Sequence, residues 1–491
     1  MYNISNLSLA ALREQINAQT RTVEFQTDDG ALTQMVYVPK FTVPAGTFEN
    51  GAYPKRDMNL GGFFIDKYQC SHKKATASAR GIGAGASITS DNTTDIPVAL
   101  PGKVAWTDID WTNAKQACAN RKINGQACHL VTMKEWATVC LLTKLLGHDI
   151  RGNNSSCHDY RDANDWAHNA VPDPVQSGRV LTGTGPVSWS HNGMADGIFD
   201  LVGNVWEWID FLITDGVYTH KKKALINDSD GITAADTTIT IDSMENGDTW
   251  PTSGLIQIED EVISYSTINY QGNGKAVLSD CKRAQQSTTA ATHADNVTVY
   301  QLTKYCITPG SATAYISNSA GLSTGDTAIV YTDLVNGPGN NGFAVGDTLQ
   351  VENEQMTVTA VVSNTLTVTR AVNGSSAASH AKGVAVAKVS TQMDNNQPYN
   401  DAFQSGHLTT MRTEQDLECM ALPSLANKQT DEWKDGFWIR NHGVRAALRG
   451  ASWVHGANAR SGFALYLNGL PSDRWPTIGF RAALSLEKSV I

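Results

Sequence analysis

Long hydrophobic runs are missing from this chain of 491 residues. No stretch approaches the roughly 18 apolar residues of a membrane-crossing helix, so membrane insertion is not expected. The N-terminus, MYNISNLSLAALREQINAQT, lacks the basic start and continuous apolar core of a secretory signal, which favours folding in a cytoplasm. Charge is also sparse. Charged residues make up 18% and sum to -10 without basic tracts, which argues against nucleic-acid binding, because that needs a cationic footprint to displace counterions. The eight cysteines include no CxxC pair and no zinc-type grouping with histidine, and no two histidines are spaced HxxxH. Five cysteines fall between Cys70 and Cys157, so a local disulfide stays open beside the favoured reading of buried free thiols. No heptad segment is present to drive oligomerisation.

What is present is an apolar fraction of 41%, with abundant Gly, Thr, Asn and Ser, enough for more than one core and suited to loop-rich, strand-rich folds. Residues 1–55 read as a lead for attachment or oligomerisation, opening with a short amphipathic helix around Leu7 to Ile16. Helices are expected from Trp111 to Arg121 and from Met133 to Leu146, the second with an apolar stripe of Trp136, Val139, Cys140, Leu142 and Leu146. From about Tyr218 to Gln392, β-branched residues alternate with polar ones between Gly-Asp and Asn-Gly turns, a hairpin signature.

That middle segment repeats itself. Gln257 to Tyr265 answers Gln350 to Val358, and Arg283, Ala284, His293 and Val299 match Arg370, Ala371, His380 and Val386 at one constant offset. Two tandem all-β modules, 219–306 and 307–392, therefore interrupt a domain whose halves are 56–218 and 393–491. Residues repeated at the same place in tandem modules pin turns more often than they form sites, so Arg283, His293, Arg370 and His380 read as structural.

The flanks carry several distinctive phrases: Phe64 to Tyr68, Val104 to Trp106, Trp111 to Ala114, Leu130 to Trp136, Asp196 to Trp208 ending in GNVWEW, Leu448 to Trp453 (LRGASW) and Ile478 to Arg481 (IGFR). In this order they resemble the formylglycine-generating-enzyme and sulfatase-modifying-factor family, which implies an α+β, C-type lectin-like fold interrupted by the two β modules. In Val205 to Trp208 the two tryptophans project to one side of an extended chain and Glu207 to the other, as in a strand that fills a core. Arg449 and Arg481 have forked donors that suit carboxylates or loop carbonyls. The family's oxidases depend on a reactive cysteine pair in the C-terminal half, yet no cysteine follows Cys419. Related sulfoxide synthases need the HxxxH pair that is lacking here. The expectation is a protein that is not an enzyme.

A narrower resemblance covers 448–484. Leu448, Arg449, Gly450, Trp453, Gly456, Phe463, Pro471 and Ile478 to Arg481 are similar to the fixed positions in the variable region of diversity-generating retroelement proteins, with Ala451 where glycine is usual. In that family, error-prone copying alters solvent-facing positions of the lectin-like domain while the fold stays constant. The resemblance implies ligand contacts at Ser452, Val454, His455, Arg460, Ser461, Tyr466, Asn468, Leu470, Asp473, Arg474, Trp475 and Thr477. Aromatic residues and arginine are the types that dominate binding energetics, and this stretch shows neither helical nor strand periodicity. No cofactor is required; calcium is an option through Asp196, Asp200, Asn204 and Glu207, although calcium wants six to eight oxygens. The expected partner is a protein or glycan on a cell surface, bound by a receptor-binding protein of a virion tail or fibre, with homo-oligomerisation as an option. A cell-surface or cytoplasmic location is the alternative. The competing functions are a formylglycine-generating-like oxidase, a degenerate relative of one, or a structural virion protein.

Overall fold

The computed structural model describes residues 18–82, 95–162, 170–214, 216–244, 249–285, 288–307, 313–333, 343–352, 354–372, 375–388, 403–408, 410–424, 432–440 and 443–485. The helix expected around Leu7 to Ile16 lies outside them. The chain divides into two compact units, one of Met1–Leu212, Gln404–Ile439 and Val444–Ile491, the other of Ile213–Phe403 with Arg440–Gly443.

The expected α+β class is corrected to a mostly β protein: two complete α-helices stand against 33 strands among the described residues. β-branched residues and closely spaced turns outweigh the few helical stretches. Both helices lie in the first unit. Trp111–Asn120 starts at Asp110, whose carboxylate accepts from the Asn113 amide at 2.8 Å. Met133–Leu145 starts with a capping box in which Thr132 and Glu135 satisfy each other's backbone amides. The expected single stripe on the second helix is also corrected: ten of its residues are buried, including Ala137, Thr138, Leu141 and Thr143 off the stripe. A helix apolar all round is a core helix.

One sheet of this unit runs Arg21–Gln26, Leu32–Val38, Phe63–Asp66, Ala482–Ser485, His129–Leu130. Residues from 21 onward are thus woven into the same sheet as the C-terminal strand, and the expected boundary at residue 55 falls inside it. A second set of strands holds the segment after Arg449. Trp206–Thr214 pairs in parallel with Ile478–Phe480, and Gly436–Arg440 pairs in parallel with Leu465–Gly469, which also lies antiparallel to Val444–Arg449. A fully buried ion pair ties the sheets' ends together. Arg481 donates to both Glu207 oxygens at 2.9 Å and to the Asp66 and Phe199 carbonyls. Asp66 in turn pairs with buried Arg121 at 2.8 Å.

The second unit contains two cores. One gathers Ile226, Ile239, Ile256, Ile263, Leu278 and Val299; the other gathers Ile316, Ile329, Leu349, Met356, Leu366 and Val386 inside a closed six-stranded barrel. Each carries the same clasp. Glu261 is gripped by both donors of Arg283, by His293 Nε2 and by the amides of Ala284 and Ala291. In the barrel, Glu354 is gripped by Arg370, His380, Ala371 and Ala378 in the same way. These ion pairs and hydrogen bonds hold both carboxyls down at about 2 in spite of burial.

Candidate functional site

Residues 450–477 hang from a buried frame. Arg449 has no carboxylate partner; it donates to the carbonyls of Phe463 at 2.6 Å, Ala421 at 2.9 Å and Met420 at 3.1 Å, and burial lowers its guanidinium to about 10. The turn that follows runs through Gly450 at φ 86° and Ala451 at φ 69°. Ala451, which stands where the variable-region pattern has glycine, therefore sits in the left-handed region where a Cβ costs energy.

From this frame the twelve expected contact residues fall into three groups. The first lies on the strand Leu465–Gly469, where alternate residues are buried and Tyr466 and Asn468 are half-exposed. The parallel register places Trp438 directly beside Tyr466. Trp206 meets Trp438 edge-on at 5.9 Å and Tyr466 at 5.8 Å, and His455 closes the group at 5.0 Å from Trp206 and 5.6 Å from Trp438. Such edge and tilted contacts add to area burial and fix the rings. Val454 stands 66% exposed beside His455. Ser452 is fully buried and is not a contact residue: its amide and hydroxyl approach His455 Nδ1 at 3.3 and 3.0 Å, so it positions the imidazole. Burial lowers the His455 pKa, which favours the neutral ring.

Arg460 and Ser461 form the second group. Buried Asp435 accepts from both of their amides, at 2.9 and 3.1 Å, and from the Ser461 hydroxyl. They border a cavity of about 350 Å³ shared with Lys144, Asp149, Glu432 and Lys434. The third group is a turn. Leu470 and Asp473 close it through reciprocal hydrogen bonds, and Trp475 is 57% exposed. The Arg474 guanidinium lies 3.7 Å from Asp110, and the Trp111 amide donates to the Pro471 carbonyl, which pins the turn to the start of the first helix. Thr477 is half-buried and accepts from the Trp206 amide at 2.8 Å.

Sequence reasoning missed one member of the first group and the neighbours of another. Trp206 is buried, as is Trp208, but its ring packs against Tyr466 and His455 while Trp208 donates to the Ile109 carbonyl. Trp438 went unnoticed, although Gly436-Phe-Trp-Ile-Arg440 alternates buried and half-buried residues as a strand does.

The four residues named for calcium have other partners. Asp196 Oδ1 accepts from the Asn192 side-chain amide at 3.4 Å. Glu207 is held by Arg481 and Gln69, and Asn204 bonds Gln69, Asn153 and the Val180 amide. Asp200 Oδ2 accepts from the Gly183 amide, and burial raises its carboxyl to about 6. Among the described residues no group of three or more His, Cys, Asp or Glu is placed to hold a metal. The described cysteines whose side chains are placed are free, and burial raises the Cys419 thiol.

No curated protein matches the chain. The sequence pattern of the sulfatase-modifying factor enzyme 1-like domain matches residues 22–301, from the first strand of the five-stranded antiparallel sheet into the first β module. With more than half of its length matched, the chain belongs to the sulfatase-modifying factor enzyme 1-like family, whose domain has a C-type lectin-like fold.

Proposed function

We propose that this protein is a non-enzymatic recognition protein that presents a diversified C-terminal surface to a protein or glycan on a cell, in the manner of the variable proteins of diversity-generating retroelements. The observation that supports this best is the ring cluster of Trp206, Trp438, His455 and Tyr466 on a buried frame. Partly exposed aromatic rings with few rotatable bonds offer large contact area, and a packed frame beneath them lowers the ordering cost of binding. In this reading Val454, His455, Tyr466 and Asn468 touch ligand together with Trp438, while Ser452 only positions His455. Arg460 and Ser461, and the turn of Leu470, Asp473, Arg474 and Trp475, supply further contacts. No cofactor takes part, and calcium is an optional ligand. The setting is a virion tail or fibre, where several copies of a weak site gain avidity.

Sequencing the 3' end of the gene across its source population tests the reading. Variation concentrated in codons 452 to 477, with a nearby near-copy differing at adenines, is expected; a uniform 3' end counts against it. At the protein level, Trp438→Ala with Tyr466→Ala is expected to abolish binding to a ligand-bearing cell while the melting temperature stays within a few degrees. Family membership favours one other reading, a formylglycine-generating-like oxidase. Oxygen-dependent conversion of a cysteine peptide decides for it, and the lack of any cysteine beyond Cys419 speaks against it.

A further inference from the structure

We propose that the cavity beside the second helix binds an acidic sugar, a hexuronate or the uronate end of a short oligosaccharide. The cavity, about 350 Å³, lies within the size range of small-ligand sites and has room for a sugar ring. Its lining combines both signs of charge, and the pairing of these groups separates those that are committed from those that remain available.

Lys144 is committed. Its ammonium donates to the Glu432 carbonyl at 3.1 Å and lies 4.8 Å from the Trp433 ring centroid. Lys434 and the Arg460 side chain, by contrast, have no ion-pair or hydrogen-bond partner among the described residues. Two unpaired cations on one cavity ask for an anion, and the planar fork of arginine matches a carboxylate with two parallel hydrogen bonds. Asp149 and Glu432 border the same space. Asp149 already accepts from Arg161 at 2.8 Å and pairs with Arg151 at 3.2 Å; the Glu432 carboxylate accepts from the Glu49 amide and lies 3.8 Å from Lys144. A carboxylate offers about four lone-pair directions, so each retains acceptor capacity for a hydroxyl.

This mixture discriminates among ligands. A neutral sugar leaves Lys434 and Arg460 unmatched, and a bare carboxylate leaves the acceptors unused. A polyphosphate meets repulsion from Asp149 and Glu432. A ring with one carboxylate and several hydroxyls satisfies both sets. The site is also preorganised, because Asp435 fixes the backbone at residues 460 and 461. The proposal shares Arg460 and Ser461 with the recognition reading and rests on none of its aromatic rings.

Calorimetric titration of the full chain with glucuronate and galacturonate, with galactose as the neutral counterpart and acetate as the bare carboxylate, tests the assignment. Saturable binding of a hexuronate is expected, with galactose and acetate at least about tenfold weaker. Lys434→Ala and Arg460→Ala are each expected to weaken the hexuronate about tenfold, and Tyr466→Ala to leave it unchanged. The proposal is overturned if neither hexuronate binds by about 10 mM, if galactose or acetate binds equally well, or if the two cation variants bind as the parent does. Loss of hexuronate binding in Tyr466→Ala alone places the sugar on the aromatic face and overturns it too. Loss of cell binding in that variant with hexuronate binding intact separates the two readings.

Discussion

The clasp of the barrel module gives the sharpest quantitative test of this structure. Glu354 is fully buried and takes two donors from Arg370 at 2.6 and 2.7 Å, one from His380 at 2.9 Å, and the amides of Ala371 and Ala378 at 3.1 and 2.9 Å. Replacing it with glutamine keeps the shape but turns an amide NH2 toward a guanidinium. Two routes give the size of the effect. A carboxyl that ionises at about 2 in place of the ordinary 4.5 contributes about 3 kcal/mol to folding. Removing one partner of a buried ion pair costs about 3–5 kcal/mol. Because the folded carboxyl is the stronger acid, this stability is fully present above about pH 4.5 and is lost as pH falls through about 2. Hydrogen exchange read by mass spectrometry at neutral pH resolves the effect by region. In Glu354→Gln, peptides from 313–388 are expected to exchange about a hundredfold faster, while those from 18–212 keep their protection. Barrel peptides that exchange at the parent rate refute the reasoning, and so does a loss spread evenly over both units.

Three further outcomes follow from the first unit. Asp200 is raised to about 6 from 3.8, so the unfolded chain releases this proton first, and the contribution to stability is full below pH 4 and falls as pH rises through about 6. Asp200→Asn is expected to remove a penalty of about 3 kcal/mol at pH 7, measured by denaturant titration at pH 4.5 and 7; an unchanged difference between the two pH values contradicts it. Arg481→Met strands Glu207 in the core and is expected to cost about 3–5 kcal/mol, seen as a lower melting temperature by calorimetry. Substituting Glu207 with Gln at the same time should recover part of that loss, because no buried charge is then left alone.

The parts of this architecture that were legible in the sequence are those written locally or repeated. The spacing shared by Arg283 and His293 with Arg370 and His380 marked them as structural, and the second helix starts at Met133 as expected. The forked donors of Arg481 meet a carboxylate and two carbonyls; those of Arg449 meet carbonyls and the Met133 sulfur. What was hidden depended on distant pairing. Strands Arg21–Gln26 and Leu32–Val38 reach the C-terminal strand through Phe63–Asp66, a partnership no local pattern encodes. The aromatic face needs the parallel register of Trp438 with Tyr466, and alternation within either strand cannot supply it. Trp206 and Trp208 share one side of their strand and both are buried, but their neighbours differ: Trp206 packs against Tyr466, and Trp208 donates to the Ile109 carbonyl. The α+β class gave the two helices too much weight: both lie where the sequence placed them, but 33 strands among the described residues outweigh them.

The way the frame grips residues 450–477 bears on which substitutions that segment tolerates. Arg449 binds the carbonyl of residue 463, and Asp435 binds the amides of residues 460 and 461; the Trp206 amide binds the carbonyl of residue 477. Every amino acid presents that same carbonyl, and every one except proline presents that same amide. An exchange of side chain at 460 or 477 therefore leaves these attachments in place, whereas one at 461 keeps the amide bond and loses the hydroxyl bond to Asp435. The frame holds this loop mainly by its backbone, so most changes of side chain along it leave the anchorage intact.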